Sequence, residues 1–322
     1  MGIRNLNSHL RNNCPDSIRC INMSDLNGKR IAIDISIYLY KYEAEDTLLE
    51  NIYLMLSVFR HYNIIPLFIF DGKPPPEKKA LLLKRREDKD LAQQEYNKLK
   101  IQLASKNDGD DKQDIINLMD QLKKQFIYIN KEKIESVKEL IRAYGATYYD
   151  SPGEADELCA LLVIKKKVWA CMSEDMDMFV YGCTRVLRYF SLINHTAVLY
   201  YMKGILGELN MTHKEFKEIC ILSGTDYNFS ANGDTSNINL HQTLKIFNKY
   251  KKSNGSAEFY NWALQCNYIT DIDLLNKINT MFDLTVEHCN LETFKKIKII
   301  NGPIRLNDIQ LIMKTEGFIF IE

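Results

Sequence analysis

The sequence lacks a net charge: 42 Lys+Arg stand against 42 Asp+Glu, and the isoelectric point is about 7.0. This excludes a uniformly cationic nucleic-acid coat protein and an acidic tail protein, although a sum says nothing about local segregation. It also lacks any run of about 18 apolar residues, which argues against a membrane span. The opening Met1-Gly2-Ile3-Arg4-Asn5-Leu6 has no apolar signal-peptide core, and Leu6 stands where a myristoylated terminus wants Ser or Thr. The eight cysteines contain no Cys-x-x-Cys pair. With Cys159, Cys171 and Cys220 in apolar surroundings, they read as reduced, mostly buried thiols of an intracellular protein. The six histidines form no cluster, and His9, His61 and His195 read as surface or packing residues. Internal repeats are missing too.

What remains is ordinary globular material, 46% hydrophobic and 26% charged, long enough for one large domain or two small ones. Apolar runs that end in acids alternate with helical patterns. Arg30 to Asp34 is one such run, Ile65 to Asp71 a second, and Val168 to Met172 a third, followed at once by Ser173-Glu174-Asp175-Met176-Asp177. A helical stretch spans roughly 46–62. Strands alternating with helices imply parallel βαβ units, and in open parallel sheets function gathers beyond the carboxyl ends of the strands. The acidic strand ends therefore point at one place. Glu154 and Asp156 open a helix after the aromatic run Ala146 to Tyr149, and Asp226 closes the apolar stretch from Cys220.

A single Asp after a strand is usually a turn residue or a helix cap, and Ser151-Pro152-Gly153-Glu154 also fits a capping box. Those readings do not explain why apolar strands keep ending in acids. Several carboxylates in one half-buried site repel one another and protonate unless cations balance them. Mg²⁺ takes oxygen ligands, and two such ions can activate water and stabilise the leaving oxygen of a phosphodiester.

Residues 77–104 are charged and helix-favouring, break at 105–111, and lead to a second helical stretch ending near 144. Such an excursion is a mobile insertion or a solvent-exposed helical hairpin. Within it, residues 78–100 carry eight Lys/Arg and four Asp/Glu, and Lys78 and Arg85, seven apart, share a helix face. A cationic helix starting beside a metal site could hold a phosphodiester over it, against the plainer reading of a solvated helix with internal ion pairs. Lys245 to Lys252 holds four lysines and no acid and could track a duplex backbone. Lys165-Lys166-Lys167 reads as a helix C-terminus, where cations complement the dipole. Residues 214–252 read as helical around a polar break at 228–239, and the last 70 residues as mixed helix and short strand.

Together these residues resemble the flap endonuclease branch of the XPG-type structure-specific nucleases, from Met1 to about Tyr250. The motifs occur in family order: Met-Gly-Ile, Ala-Ile-Asp-x-Ser at Asp34, Phe-Asp-Gly-Lys-Pro-Pro at Asp71, Glu-Ala-Asp at Glu154, Glu-Asp-Met-Asp at Asp175 and Ser-Gly-Thr-Asp-Tyr at Asp226. The resemblance implies an α/β, PIN-like nuclease core: a twisted, mainly parallel sheet flanked by helices, with a helical arch insertion and a helix-turn-helix-like DNA-binding element. It implies one nuclease domain over 1–322, with an N-terminal region at 1–76, the arch at 77–130, an internal region at 131–228, a divergent helix-two-turn-helix at 214–252 and a C-terminal mixed region at 253–322.

Carried over residue by residue, Asp34, Asp71, Glu154, Asp156, Asp175, Asp177 and Asp226 are the metal acids, with Asp156 a shorter arm than the family's usual Glu. They would hold two Mg²⁺, with Mn²⁺ as a substitute. Lys78 and Arg85 match the active-site cations, and Tyr40 the aromatic that stacks on the base beside the scissile bond. Gly2 would approach the DNA where a side chain would clash, and Lys73, Lys84, Arg86, Lys245 and Lys249 would touch DNA. The implied partner is branched DNA with a 5′ single-stranded flap, handled by a monomer away from membranes.

Two departures stand out. The family's duplex-gripping Gly-x-Gly hairpin, often with a potassium ion, is replaced by Ser230 to Asn239, where Gly233 alone survives. Nucleases of large eukaryotic DNA viruses diverge similarly, so a viral source is expected, working in the nucleus or at a cytoplasmic replication site. There is no sliding-clamp box, because Gln310 to Glu316 does not fit one. The expected activity is a Mg²⁺-dependent 5′ flap endonuclease acting in replication, repair or recombination. A 5′ exonuclease or a junction- or bubble-cutting enzyme of the same family is the nearest alternative, and an inactive DNA scaffold a more distant one. A phosphatase with a strand-end Asp nucleophile would want a second Asp where Ser36 stands.

Overall fold

The computed structural model describes residues 2–105, 110–228, 238–253, 257–284 and 298–320. Seven strands form one sheet: β1 (Ile18–Asn22), β2 (Arg30–Asp34), β3 (Ile65–Phe70), β4 (Thr147–Asp150), β5 (Ala170–Met172), β6 (Arg185–Ser191) and β7 (Thr196–Tyr201), in the order β1-β7-β6-β5-β2-β3-β4. The five from β6 to β4 are parallel, whereas β7 and β1 add antiparallel at one edge. The expected mainly parallel α/β sheet is present. Because β3 lies on one side of β2 and β5 on the other, the strand order reverses at β2, which is where such folds open a crevice.

The central strands read as unbroken apolar runs because both faces are covered. Ala32, Leu67, Ile69 and Cys171 point into one core. Ile31, Ile33, Phe68, Phe70, Ala170 and Met172 point into the other. Helices α3 (Leu48–His61) and α6 (Lys131–Ala143) cover the second core, and α7 (Ala155–Ile164), α8 (Asp177–Val180) and α10 (His213–Leu222) the first.

Several elements had no sequence reading. The edge pair β6–β7 hides because Arg188 points inward from β6. It is 5% exposed, donates to Asn7 Oδ1 at 2.7 Å and the Glu174 carbonyl at 2.9 Å, and breaks the apolar pattern. The helical stretch at 46–62 is α3, preceded by a further helix, α2 (Ser36–Ala44).

The excursion after β3 is a helical hairpin of α4 (Lys79–Ser105) and α5 (Asp110–Lys123). It has a thin apolar seam: Ala92, Leu99 and Met119 are buried, and Tyr96 meets Phe126 edge-on at 5.4 Å. The second helical stretch does not run unbroken to 144, because Asn130 caps a new helix by accepting from the Lys133 amide.

Helices α10 and α11 (Leu240–Lys252) flank the polar break, each opened by a capping box, Thr212 with Glu215 and Asn239 with Gln242. Residues 229–237, with Gly233, lie outside the described residues, and so does the expectation about duplex and potassium binding placed there.

The expected short strand in the last 70 residues is corrected: among the described residues this region forms helices at Phe259–Gln265, Ile272–Met281 and Leu306–Thr315 and no strand. Its segment 298–305 lies along the end of α6 instead, with Gly302 and Arg305 amides donating to the Gly145 and Ala143 carbonyls, each at 2.8 Å. Ile309 and Met313 then close the second core. Among the described residues no helix is long and apolar enough to cross a membrane. Five of the seven described cysteines are buried free thiols, as their apolar settings implied.

Candidate active site

Beyond the carboxyl ends of β5, β2 and β3 the expected acids converge. Asp34 ends β2 and Asp71 follows β3, Glu154 and Asp156 open α7, Asp175 and Asp177 follow β5, and Asp226 follows α10. Two loops are pinned together beneath them. The Gly72 amide donates to the Gly153 carbonyl at 2.7 Å and the Lys73 amide to the Pro152 carbonyl at 3.3 Å. A Cβ on Gly72 would stand 2.0 Å from the Ser151 carbonyl oxygen, so only glycine allows this approach.

Six of the seven acids are braced. Asp34 accepts from the Ser173 hydroxyl at 2.9 Å and the Ser36 amide at 3.3 Å. Asp71, the exposed member, accepts from the Ser36 hydroxyl at 2.5 Å and the Ala155 amide at 2.8 Å. Glu154 takes Lys78 Nζ at 2.7 Å and the Tyr227 hydroxyl at 2.9 Å. Asp226 takes Arg85 at 2.8 Å, with Lys78 3.9 Å away. Asp156 accepts from the Glu157 amide at 2.6 Å, and Asp175 from the Asp177 amide at 3.0 Å.

Burial, then the charges of Asp71 and Asp175, push the Asp34 carboxyl up to about 7, against the Ser173 hydrogen bond. Asp156 is raised well above the carboxylate range by burial and then by Glu154. Asp177 is raised likewise by burial and then by Asp175 and Asp226. Burial pulls Lys78 down, but Asp156, Glu154 and Asp226 outweigh it and hold the ammonium charged.

The group fits divalent cations in its chemistry. All its donors are oxygens, seven acids face two cations, and Asp177 Oδ1 is buried with no hydrogen-bond partner. Among the described residues no three His, Cys, Asp or Glu side chains are gathered around one point; Asp71 turns toward Ser36, Asp34 toward Ser173, Glu154 toward Lys78 and Tyr227, and Asp226 toward Arg85.

Gly2 reaches the acids themselves. Its φ is +77°, and a Cβ there would stand 2.7 Å from both Asp175 Oδ1 and Asp177 Oδ1. Tyr40 lies apart on α2, 47% exposed, with Lys89 Nζ 5.0 Å over its ring and 5.2 Å over that of Tyr128. Lys84 pairs with Asp88 along α4 at 3.0 Å, and Lys249 bonds the Tyr268 hydroxyl at 3.1 Å. Lys73, Arg86 and Lys245 are exposed. Sequence reasoning passed over Ser36, Ser173, Tyr227 and Lys89. The first three sat inside motifs already quoted, beside the acids they bond. Lys89 carried no signal beyond its charge.

A parallel sheet whose strand ends gather acids beneath two cations defines an α/β protein with a site suited to divalent-cation chemistry on phosphates. The comparisons with known proteins narrow it. The XPG N-terminal domain matches residues 1–92 and the XPG I-region residues 145–226. Flap endonuclease 1 of Trypanosoma brucei brucei is 30% identical over 282 residues, 81% of this chain and 67% of that one. Flap endonuclease 1 of Glossina morsitans morsitans is 31% identical over 269 residues, 78% of this chain and 66% of that one. The chain thus belongs to the XPG and flap endonuclease family. It spans 61 to 66% of the length of the Trypanosoma cruzi and Glossina relatives. The DNA-bound catalytic core of Rad2 shares the fold, with a TM-score of 0.67 at 20% identity over 98% of this chain and 95% of that one. Flap endonuclease-1 from Methanococcus jannaschii does so with 0.57 at 20% identity, over 93% and 95%. The expected viral source gains no support from these relatives.

Proposed function

We propose that this chain is a Mg²⁺-dependent, structure-specific 5′ nuclease that hydrolyses DNA near junctions of single strand and duplex, 1–322 acting as one nuclease domain and as a monomer. The observation that carries this reading is the meeting of seven strand-end and helix-end acids with the buried Lys78 and with Arg85. Asp34, Asp71, Glu154, Asp156, Asp175, Asp177 and Asp226 would hold two Mg²⁺ or Mn²⁺. Bound there, such ions supply water activation and neutralise charge on the phosphate.

The protein's own groups do the rest. Lys78 is held charged in a poorly solvated place, where an ammonium stabilises developing phosphate charge more than it would in water. A phosphate that took the Lys78 ammonium would free its present partner, Glu154, to serve as a ligand, and Arg85 would leave Asp226 in the same way. The Ser36 and Ser173 hydroxyls orient Asp71 and Asp34. Gly2 keeps the ground beside Asp175 and Asp177 free for substrate. Tyr40 offers its exposed ring to a base, Lys73, Lys84 and Arg86 steer the single strand under the α4–α5 arch, and Lys245 and Lys249 on α11 follow the duplex backbone.

The test is Asp175→Ala on a 5′-flap DNA with Mg²⁺. Cleavage is expected to fall on the order of a thousandfold or more, equivalent to about 4 kcal/mol, while binding persists. Unchanged turnover would remove the metal-site assignment. The wild-type chain run on flap, nicked, gapped and four-way substrates then ranks flap cutting against exonuclease and junction activity.

A further inference from the structure

At the opposite end of the sheet lies a cleft of about 840 Å³ lined by six cations, Lys29, Arg30, Lys166, Lys167, Arg185 and Lys203, and by no carboxylate. Topology assembles it. Arg30 opens β2, Lys166 and Lys167 follow α7, Arg185 opens β6, and the antiparallel β7 brings Tyr201 back opposite Arg185. All six except the partly covered Arg185 are exposed, and none of them is ion-paired among the described residues.

Two aromatic rings stand among these charges. The Arg185 guanidinium lies 5.1 Å from the centre of Trp169 and 5.8 Å from that of Tyr201, and it donates to the Trp169 carbonyl at 3.4 Å. Tyr201 is 38% exposed.

The helix end cannot account for this charge. The C-terminus of α7 offers about half a negative charge, which one lysine answers. The cations also persist where the backbone prefers none. Lys166 and Lys167 amides donate to the Val163 and Leu162 carbonyls at 3.0 and 2.9 Å, the bonds that close a helix over a left-handed residue, usually glycine. Lys166 holds that place at φ +57°.

We propose that this cleft is a second nucleic-acid site, binding a single strand through its phosphates and stacking a base on Trp169 or Tyr201, with no part in bond cleavage. Basic residues interleaved with aromatic rings suit single strands of any sequence, since every base has a stacking face. The volume exceeds one phosphate group, and an acidic peptide would make no use of the indole. β2 has five residues, so its two ends, the cleft and the acids, lie about 13 Å apart along the strand, and one strand of nucleic acid could occupy both ends of the sheet.

The test uses the full chain in EDTA, so its outcome does not depend on the nuclease reading. Binding of labelled oligothymidylate is followed against salt for wild type, for Lys166→Gly, and for Lys166→Gly combined with Lys167→Ala and Lys203→Ala. Losing three cations should weaken binding about a hundredfold at about 0.1 M salt and flatten the log–log salt slope by about 2. Lys166→Gly alone should weaken it about fivefold without lowering the melting temperature, because glycine relieves the left-handed backbone. Iodouracil in the oligonucleotide should crosslink to the peptides holding Trp169 or Tyr201. Unchanged affinity and slope in the triple variant, crosslinks confined to other peptides, or displacement of the oligonucleotide more readily by polyglutamate than by polyphosphate would each overturn the proposal.

Discussion

The two ends of the sheet carry opposite charge and handle it oppositely. At the carboxyl end most of the acids are covered, and all but Asp177 are held by a hydroxyl, an amide or a cation. At the amino end all the cations but the partly covered Arg185 are exposed, and none is ion-paired among the described residues. Burying a charge is costly unless it is compensated, so a buried cluster of one sign implies counter-charge from outside. Exposed charge costs little, and by itself implies little. The amino end becomes informative only because the fold sets two aromatic rings among its cations.

This contrast can be broken experimentally, most sharply at Lys78. Lys78→Ala would strand Glu154 half-buried beside Asp156 and Asp226. Loss of one partner from a buried pair should cost about 3 kcal/mol of stability without divalent ions, read from urea unfolding. Cleavage should fall about 10²–10³-fold. If Mg²⁺ restores the stability but not the cleavage, structural and chemical roles are separated; if neither quantity moves, Lys78 is not the compensating charge.

Gly72→Ala is next. Its new methyl meets the Ser151 carbonyl and parts the loops that carry Asp71 and Glu154, at a cost of about 1–3 kcal/mol. The Mg²⁺ concentration for half-maximal cleavage should rise, whereas oligothymidylate binding at the amino end in EDTA should not change.

The smallest effect is expected at Glu218, a buried acid of α10 outside both sites. Burial first, then Glu258 and Glu215, push its carboxyl up to about 7. A group with its folded pKa raised supports the fold most below its unfolded value, and that support is lost as pH rises through about 4.5 to about 7. Glu218→Gln should therefore flatten the pH dependence of the melting temperature in that window and leave stability near pH 4 unchanged. An identical pH profile in the variant would mean that Glu218 is solvated.

Asp34, Asp71 and the Asp175/Asp177 pair were legible because each ends or follows an apolar strand run, and strand ends in a parallel sheet are obliged to meet; Glu154 and Asp156 open α7 and Asp226 follows α10, so these three were read from the family motifs. The arch was legible as a long charged stretch between strands. The β6–β7 pair was not, because the inward Arg188 finds Asn7 and Glu174 from elsewhere in the chain, and no local pattern announces such partners. The last segment failed for a similar reason. Its backbone bonds the Ala143–Gly145 turn rather than a strand neighbour, so it carries no periodicity.

By itself, then, the sequence determined the family and the parallel sheet and named the seven acids proposed for the site, all of which are written in short runs of neighbouring residues. Tertiary structure alone decided which hydroxyls and cations brace those acids, that Gly2 packs against Asp175 and Asp177, and that lysines and arginines scattered from Lys29 to Lys203 share one cleft. The physical reason is range. Hydropathy and turn chemistry act over a few residues, whereas charge compensation and close packing act between residues that only the completed fold brings together.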